Sequence, residues 1–372
     1  MDKKVDTDEL KYQIALTLIP NIGDVLAKQL LKHFGSASNI FHAPFKTLDA
    51  IQGFGTVRAR AVKNFRDFDK AEKEIAFIKK NNITPLFFTN KNYPKRLTYC
   101  NDSPILLYYK GNANLNETKI LSIVGTRHAT DYGKTVCNKI ISGLKDLSIL
   151  IVSGLAYGMD VTAHRAALKN NIPTIGVVAH GLDQLYPAQH ISTAKEMLQN
   201  GGLLTDFRHG TKPDKQNFPS RNRIVAGIAD ATLVIESAKR GGSLITAEIA
   251  NSYNRDVFAL PGRSNDKYSE GCNMLIRNNK AALITSAQDI MYLMNWGKPK
   301  TTTPKTTQKQ LCLELNEKEQ SIINILTGQK AVHIDDIRLQ SKYNSSEVAA
   351  AILNLELQGV IQSMPGKMYR LL

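Results

Sequence analysis

Cysteine, tryptophan and long apolar runs are scarce in this sequence of 372 residues. Its four cysteines, Cys100, Cys137, Cys272 and Cys312, lie far apart with no C-x-x-C pair, which argues against a zinc module and a disulfide framework and fits a reducing cytoplasm. No run approaches the ~18 apolar residues of a membrane span, and the opening MDKKVDTDEL has no apolar signal core. Secretion and membrane insertion are therefore not expected. A G-x-x-x-x-G-K-[ST] loop is missing, so nucleotide hydrolysis has no visible machinery, and Ser153 lacks the G-x-S-x-G elbow of a serine hydrolase. Acidic residues are outnumbered, 33 Asp and Glu against 48 Lys and Arg, for a formal charge of +15.

What is present is enough for packed cores: 42% of the residues are hydrophobic, and the length predicts two or three domains. The charge is uneven, at +3 over residues 1–70, +9 over 71–296, +4 over 297–310 and −1 over 311–372. A polyanionic partner would be drawn to the second and third of these segments and not to the last. Residues 297–310, GKPKTTTPKTTQKQ, have almost no apolar content and read as a linker. A softer boundary is expected near Asp69.

Between residues 71 and 296, β-rich apolar runs at 120–124, 148–153, 173–179, 203–207, 231–237 and 257–260 alternate with helical patterns. Such runs predict a mostly parallel sheet covered on both faces, an α/β, Rossmann-like, doubly wound domain. Its ligands are expected beyond the carboxyl ends of the strands. In the N-terminal segment, LIPNIG at Leu18–Gly23 and IQGFGTVRARAV at Ile51–Val62 look like paired helix-hairpin-helix motifs. Their turns either present backbone N–H groups to phosphate, or serve packing, with Gly23, Gly53 and Gly55 merely allowing the sharp turns. A net charge of +3 does not choose between the two. At the C-terminus, helical spacing begins behind an Asn316 cap in LNEKEQSIINIL, Leu315–Leu326. Two further helices and a hairpin-like stretch with Pro365 and Gly366 resemble a winged helix, for which the charge of −1 favours a protein-binding or regulatory role.

The loops of the middle segment carry the most specific pattern. SIVGTR at Ser122–Arg127, SGLAYGMD with AH at Ser153–His164, LDQLYP at Leu182–Pro187, NFPSRNRIVAG at Asn217–Gly227, GGSLITAE at Gly241–Glu248, and PGR with GCNMLI at Pro261–Ile276 together resemble the DNA-processing protein A (DprA/Smf) family, in its order and spacing. The resemblance covers roughly residues 83–290. It implies a non-enzymatic, sequence-independent binder of single-stranded DNA that protects strands imported in natural transformation and helps to load the recombinase RecA. It also implies a homodimer formed through the Rossmann-like domain. No metal and no cofactor is expected.

The residues suggest how such a site would work. Gly125, Gly154, Gly241 and Gly242 end strands in turns without side chains, where backbone can approach phosphate. Arg127, Arg221 and Arg223 supply bidentate cations, with Asn222 and Ser243 as neutral donors. Ser153 and Lys212 complete the expected contact set with Tyr157, which stands where the family usually has Arg or Lys and offers a ring for stacking. Leu275, Ile276 and Ile284 are candidates for the dimer contact or ordinary core. Asp160 and His164, four apart, read as a helix cap and a packed imidazole rather than as metal ligands. A looser likeness of GGSLITAE to the phosphate loop of lysine-decarboxylase-like nucleotide phosphoribohydrolases would make Glu248 a catalytic carboxylate. Leu244 and Ile245, where that loop needs a glycine, and Arg240 in place of its proline argue against it and favour a structural Glu248 paired with a neighbouring Arg.

Overall fold

A computed structural model describes residues 7–297, 315–329, 331–364 and 367–371. The chain divides into two compact units near residue 298. Residues 298–310 of the expected linker, Cys312, and Pro365 and Gly366 of the expected hairpin-like stretch lie outside the described residues.

Unit one opens with six helices: α1 (Thr7–Leu16), α2 (Asp24–Phe34), α3 (Ala37–His42), α4 (Phe45–Asp49), α5 (Gly55–Asn64) and α6 (Phe68–Lys80). Helix α6 runs through the boundary expected near Asp69. Its Ala71, Ile75 and Ile78 join Leu10, Ile14 and Leu30 in one core, which also takes in Phe87, Ile105, Leu106 and Tyr108 from the sheet. The helical layer thus shares its core with the sheet.

Strands and helices then alternate: β1 (Thr84–Phe87), α7 (Lys95–Thr98), β2 (Leu106–Gly111), β3 (Ile120–Val124), α8 (Asp131–Gly143), β4 (Leu150–Ser153), α9 (Met159–Lys169), β5 (Thr174–Val177), α10 (Ile191–Met197), β6 (Gly201–Thr205), α11 (Asn217–Gly227), β7 (Ala231–Val234), α12 (Gly242–Ser252), β8 (Asp256–Ala259), α13 (Glu270–Arg277), β9 (Ala282–Leu283) and α14 (Ala287–Leu293). The nine strands lie in the order β1-β2-β6-β5-β4-β3-β7-β8-β9. From β6 to β9 all pairs are parallel, and β1 and β2 join at one edge as antiparallel strands. This is the expected doubly wound sheet with an antiparallel margin.

Strands β3, β4, β5, β6 and β7 are buried at every residue, which is why they read as continuous apolar runs. Side-chain alternation divides β3, β4 and β7 between two cores. Ile120, Val124 and Val152 pack under α11, α12 and α13, whereas Leu121, Ile123 and Ile151 pack under α8, α9 and α14. Leu275 and Ile284 belong to these cores, at 2% and 0% exposure, and Ile276 is partly buried against the first of them. Of the two alternatives for these residues, Leu275 and Ile284 take that of ordinary core and leave the list of dimer-contact candidates. Cys100, Cys137 and Cys272 are buried free thiols; burial pushes Cys137 and Cys272 up to about 12, so neither is a ready nucleophile.

Unit two holds α15 (Glu317–Leu326), β10 (Val332–His333), α16 (Ile334–Ser341), α17 (Ser345–Leu357), β11 (Ile361–Met364) and β12 (Met368–Leu371), with a small sheet ordered β10-β12-β11. Three helices and a hairpin make the expected winged helix. Asn316 and Asn344 each close a capping box, with Glu319 and Glu347. Among the described residues no helix is long and apolar enough to cross a membrane.

Candidate nucleic-acid interface

Sheet topology places the site. From β3 the chain winds one way through β4, β5 and β6, then returns to β7 on the other side of β3 and winds outward through β8. The connections that leave the paired carboxyl ends of β3 and β7 therefore run to opposite faces of the sheet, α8 to one and α12 to the other, and a crevice opens there. It is a cleft of about 520 Å³ whose lining includes Gly125, Arg127, Gly154, Asp160, Lys215, Phe218, Arg221, Asn222, Gly241, Gly242 and Ser243. Eight of the twelve expected contact residues meet in it.

Backbone contacts hold the walls close. The Thr126 N–H donates to the Glu236 carbonyl at 2.7 Å, and the Met159 N–H donates to the Thr126 carbonyl at 3.0 Å, so the β3 loop is stitched to the end of β7 and the start of α9. A Cβ on Gly125 would fall 2.7 Å from that of Met159. Glu236, 4% exposed, accepts the Thr130 N–H at 2.9 Å and the Thr130 hydroxyl, and Thr130 caps α8 through Gly133 at 3.0 Å. Glu236 thus fixes the loop that carries Arg127. Helices α11 and α12 both begin at the cleft with no side-chain cap. The Asn217 and Leu244 N–H groups bond the Asp214 and Gly241 carbonyls and Pro219 has none, so an anion would meet the positive ends of two helix dipoles and the N–H groups of Phe218, Gly242 and Ser243.

The cations differ in setting. Arg127 is exposed, with its guanidinium carbon 5.4 Å from the centroid of the Phe218 ring. Arg221 is 5% exposed; it donates to the Val177 carbonyl at 2.8 Å, and its Nε has no partner among the described residues. Burial lowers its pKa, with Asp160 opposing that shift. Gly154 makes this packing feasible, since a Cβ there would sit 2.0 Å from an Arg221 nitrogen and 2.3 Å from an Asp160 oxygen. Asp160 does not cap α9 as expected. Its carboxylate accepts the Ala156 N–H at 3.2 Å and so folds the β4 loop around Arg221.

Four expected contacts stand elsewhere. Ser153 is fully buried and donates to the Ile123 carbonyl at 2.5 Å, making it a bond within the sheet. Arg223 points away from the cleft, pairing with Asp24 at 3.0 Å and Asp206 at 2.8 Å and donating to the Asp102 carbonyl. Burial works against its charge, but the two carboxylates outweigh burial and hold the guanidinium above its ordinary value. Lys212 is exposed and outside the lining, a place taken by Lys215. Tyr157 lines a small adjoining slot with Tyr186 and Phe218. Its hydroxyl donates to Gln189 at 2.6 Å, and its ring meets His190 edge-on at 5.0 Å.

Asp24, the first residue of α2, also accepts the Ile105 N–H at 2.9 Å, which ties the helix after the first hairpin to the sheet. Gly53 and Gly55 have φ of +76° and +77°, as their turn requires, whereas Gly23 is extended and Asn21 takes the left-handed position at +63°. Sequence reasoning overlooked Glu236 and Phe218 as parts of the site; only the position of Phe218 inside NFPSR hinted at its role.

His164 is fully buried. One ring nitrogen lies 2.5 Å from the Gly154 carbonyl and the other 2.7 Å from the Thr174 hydroxyl, so both are occupied, as expected of a packed imidazole. Burial depresses its pKa to about 4 from 6.5. An unfolded chain therefore binds the proton first on acidification. Stability should fall as pH drops from 6.5 to 4 and level off below, by about 3 kcal/mol in all. Urea unfolding across that window should show this slope, and His164→Gln should flatten it.

The comparisons with known proteins bear on the family and the fold. The family model described as DNA recombination-mediator protein A matches residues 84–295, the DprA winged helix domain matches 304–367, and a helix-hairpin-helix motif matches 14–75. Protein Smf of Synechocystis is 31% identical over 97% of this chain and 98% of its own. The crystal structure of DNA processing protein A from Streptococcus pneumoniae superposes with a TM-score of 0.66 at 32% identity, covering 76% of this chain and 97% of that one. DNA processing protein A from Helicobacter pylori, whose single-stranded DNA binding mode has been described structurally, gives 0.53 at 30% identity over 57% and 96%. With its central sheet, winged helix and hairpin segment all matched, this chain belongs to the DNA recombination-mediator protein A family, the DprA/Smf proteins.

Proposed function

We propose that the chain binds single-stranded DNA independently of sequence through the cleft at the carboxyl ends of β3 and β7, as a homodimer that shelters incoming strands and assists loading of RecA. The observation that carries this reading is the meeting of Arg127, Arg221 and Lys215 with two uncapped helix N-termini in one open crevice. These groups suit phosphate and read no base edge, so affinity arises from charge neutralisation and falls steeply with salt. The ring of Phe218 under Arg127, with Tyr186 beside it, suits a stacked base.

Arg127→Ala should weaken oligothymidylate binding about tenfold and reduce the log–log salt slope by about 0.7, one phosphate's worth, with melting unchanged because the side chain is exposed. Unchanged affinity would remove Arg127 from the strand path. Sedimentation with and without oligonucleotide tests the dimer, and strand exchange by RecA with and without this protein tests the loading role. Against a phosphoribohydrolase stands Glu248, which is exposed, pairs with Lys280 at 3.3 Å rather than with an Arg, and lies outside the cleft lining. Release of free base from nucleoside monophosphates would favour that enzyme instead.

A further inference from the structure

Beside the cleft, the loop from β7 to α12 and the loop from β8 to α13 are fastened together. The Ser237 N–H donates to the Tyr268 carbonyl at 2.7 Å, and the Gly271 N–H donates to the Ser237 carbonyl at 2.8 Å. A Cβ on Gly271 would fall 2.7 Å from the Ala238 carbonyl oxygen, so the two backbones touch. The second loop is braced from within, since Gly262 and Asn273 exchange hydrogen bonds of 3.1 and 2.9 Å and the Ser269 hydroxyl donates to Asp266 at 2.6 Å. From the β3 loop, the ring of His128, next in sequence to Arg127, stacks with that of Tyr268 at 6.4 Å and 30°.

This braced surface is rich in cations. Lys239, Arg240, Arg263 and Lys267 are all exposed, and among the described residues none of the four enters an ion pair. Of the nearby carboxylates, Asp266 is engaged by Tyr268 and Ser269, and Asp131 by Lys134. Exposed Glu270 stands against the four. Lys239 and Arg240 fall between Ala238 and Gly241, which line the cleft, so the charged surface and the cleft are continuous.

We propose that these two loops form a second contact surface for single-stranded DNA, continuing the strand path out of the cleft. The exposed ring of His128, backed by Tyr268, offers a face to a base, and the four cations, of which Lys267 stands over the Tyr268 ring, meet the phosphates that follow. Neither kind of contact reads sequence. The proposal rests on the cleft reading above.

The test uses the full chain and two oligothymidylates, one of about six nucleotides to fill the cleft and one of about sixteen to overrun it. Replacing Lys239, Arg240, Arg263 and Lys267 together with Ala should weaken the longer strand about tenfold and reduce its log–log salt slope by about 2 to 3, at about 0.7 for each phosphate no longer neutralised. The shorter strand should change by less than about twofold. Tyr268→Ala should likewise weaken only the longer strand, with a smaller change in salt slope. Equal losses for both lengths, or no loss for either, would overturn the extended path while leaving the cleft in place. Failure of the unaltered protein to bind either length would overturn the cleft reading and this extension together.

Discussion

Arg223→Ala should lower the stability of the first unit by about 3 kcal/mol and its melting temperature by roughly 5 to 10 °C, with little change in oligonucleotide affinity while the protein stays folded. The guanidinium stands between Asp24 of the helical layer and Asp206 after β6, and only 17% of its side chain is exposed. Removing it leaves two carboxylates facing each other in a low-dielectric setting without their shared counter-charge. Burial already pushes the Asp206 carboxyl up, with Arg223 as the main opposing influence. Without Arg223, that carboxyl holds its proton to higher pH in the folded chain than in the unfolded one. Stability of the variant then falls as pH rises through this range, so the deficit should be smaller at pH 5 than at pH 7.5. Adding Asp206→Asn should restore part of the loss. Thermal melts at the two pH values, with oligothymidylate titrations on the folded protein, measure both effects. A variant that melts normally but loses affinity would return Arg223 to the strand path.

Gly154→Ala should act on the cleft itself. The new methyl would lie 2.0 Å from the Arg221 guanidinium and 2.3 Å from Asp160, distances no side chain tolerates, and both partners are buried. Arg221 would have to leave the Val177 carbonyl, and the β4 loop would have to release the bond from Ala156 to Asp160. Overpacking of this kind costs about 1 to 3 kcal/mol, and moving one central cation should weaken single-stranded DNA binding about tenfold or more. Gly242→Ala is the matched control: a Cβ there meets nothing within 4 Å, and the residue opens α12 at a favourable φ. Its stability should be unchanged or slightly raised. Equal stability of Gly154→Ala and Gly242→Ala in a urea melt would show that Arg221 is not held as described.

Much of this architecture can be read in the chain. Strands β3, β4, β5 and β7 fall inside the apolar runs that predict them, because strands buried on both faces need no polar alternation. Strand β6 begins two residues before the expected run, at Gly201 and Gly202, which carry no apolar signal. Helix α6 crosses the expected boundary at residue 70 because its apolar stripe serves the helical core. A change in composition marks where a chain can divide, whereas packing determines where it does.

The sequence alone determined the order of strands and helices, the glycine turns at the strand ends and the family motifs, because these are local patterns of hydrophobicity and backbone freedom. Only the tertiary structure decided which polar groups face the crevice. Arg221 and Arg223 are two residues apart on α11, about 200° around the helix, so one enters the cleft and the other turns to Asp24 and Asp206. Ser153 is turned into the sheet, and Leu275 and Ile284 into its two cores. Such choices depend on what stands opposite each side chain, and those neighbours come from distant parts of the chain.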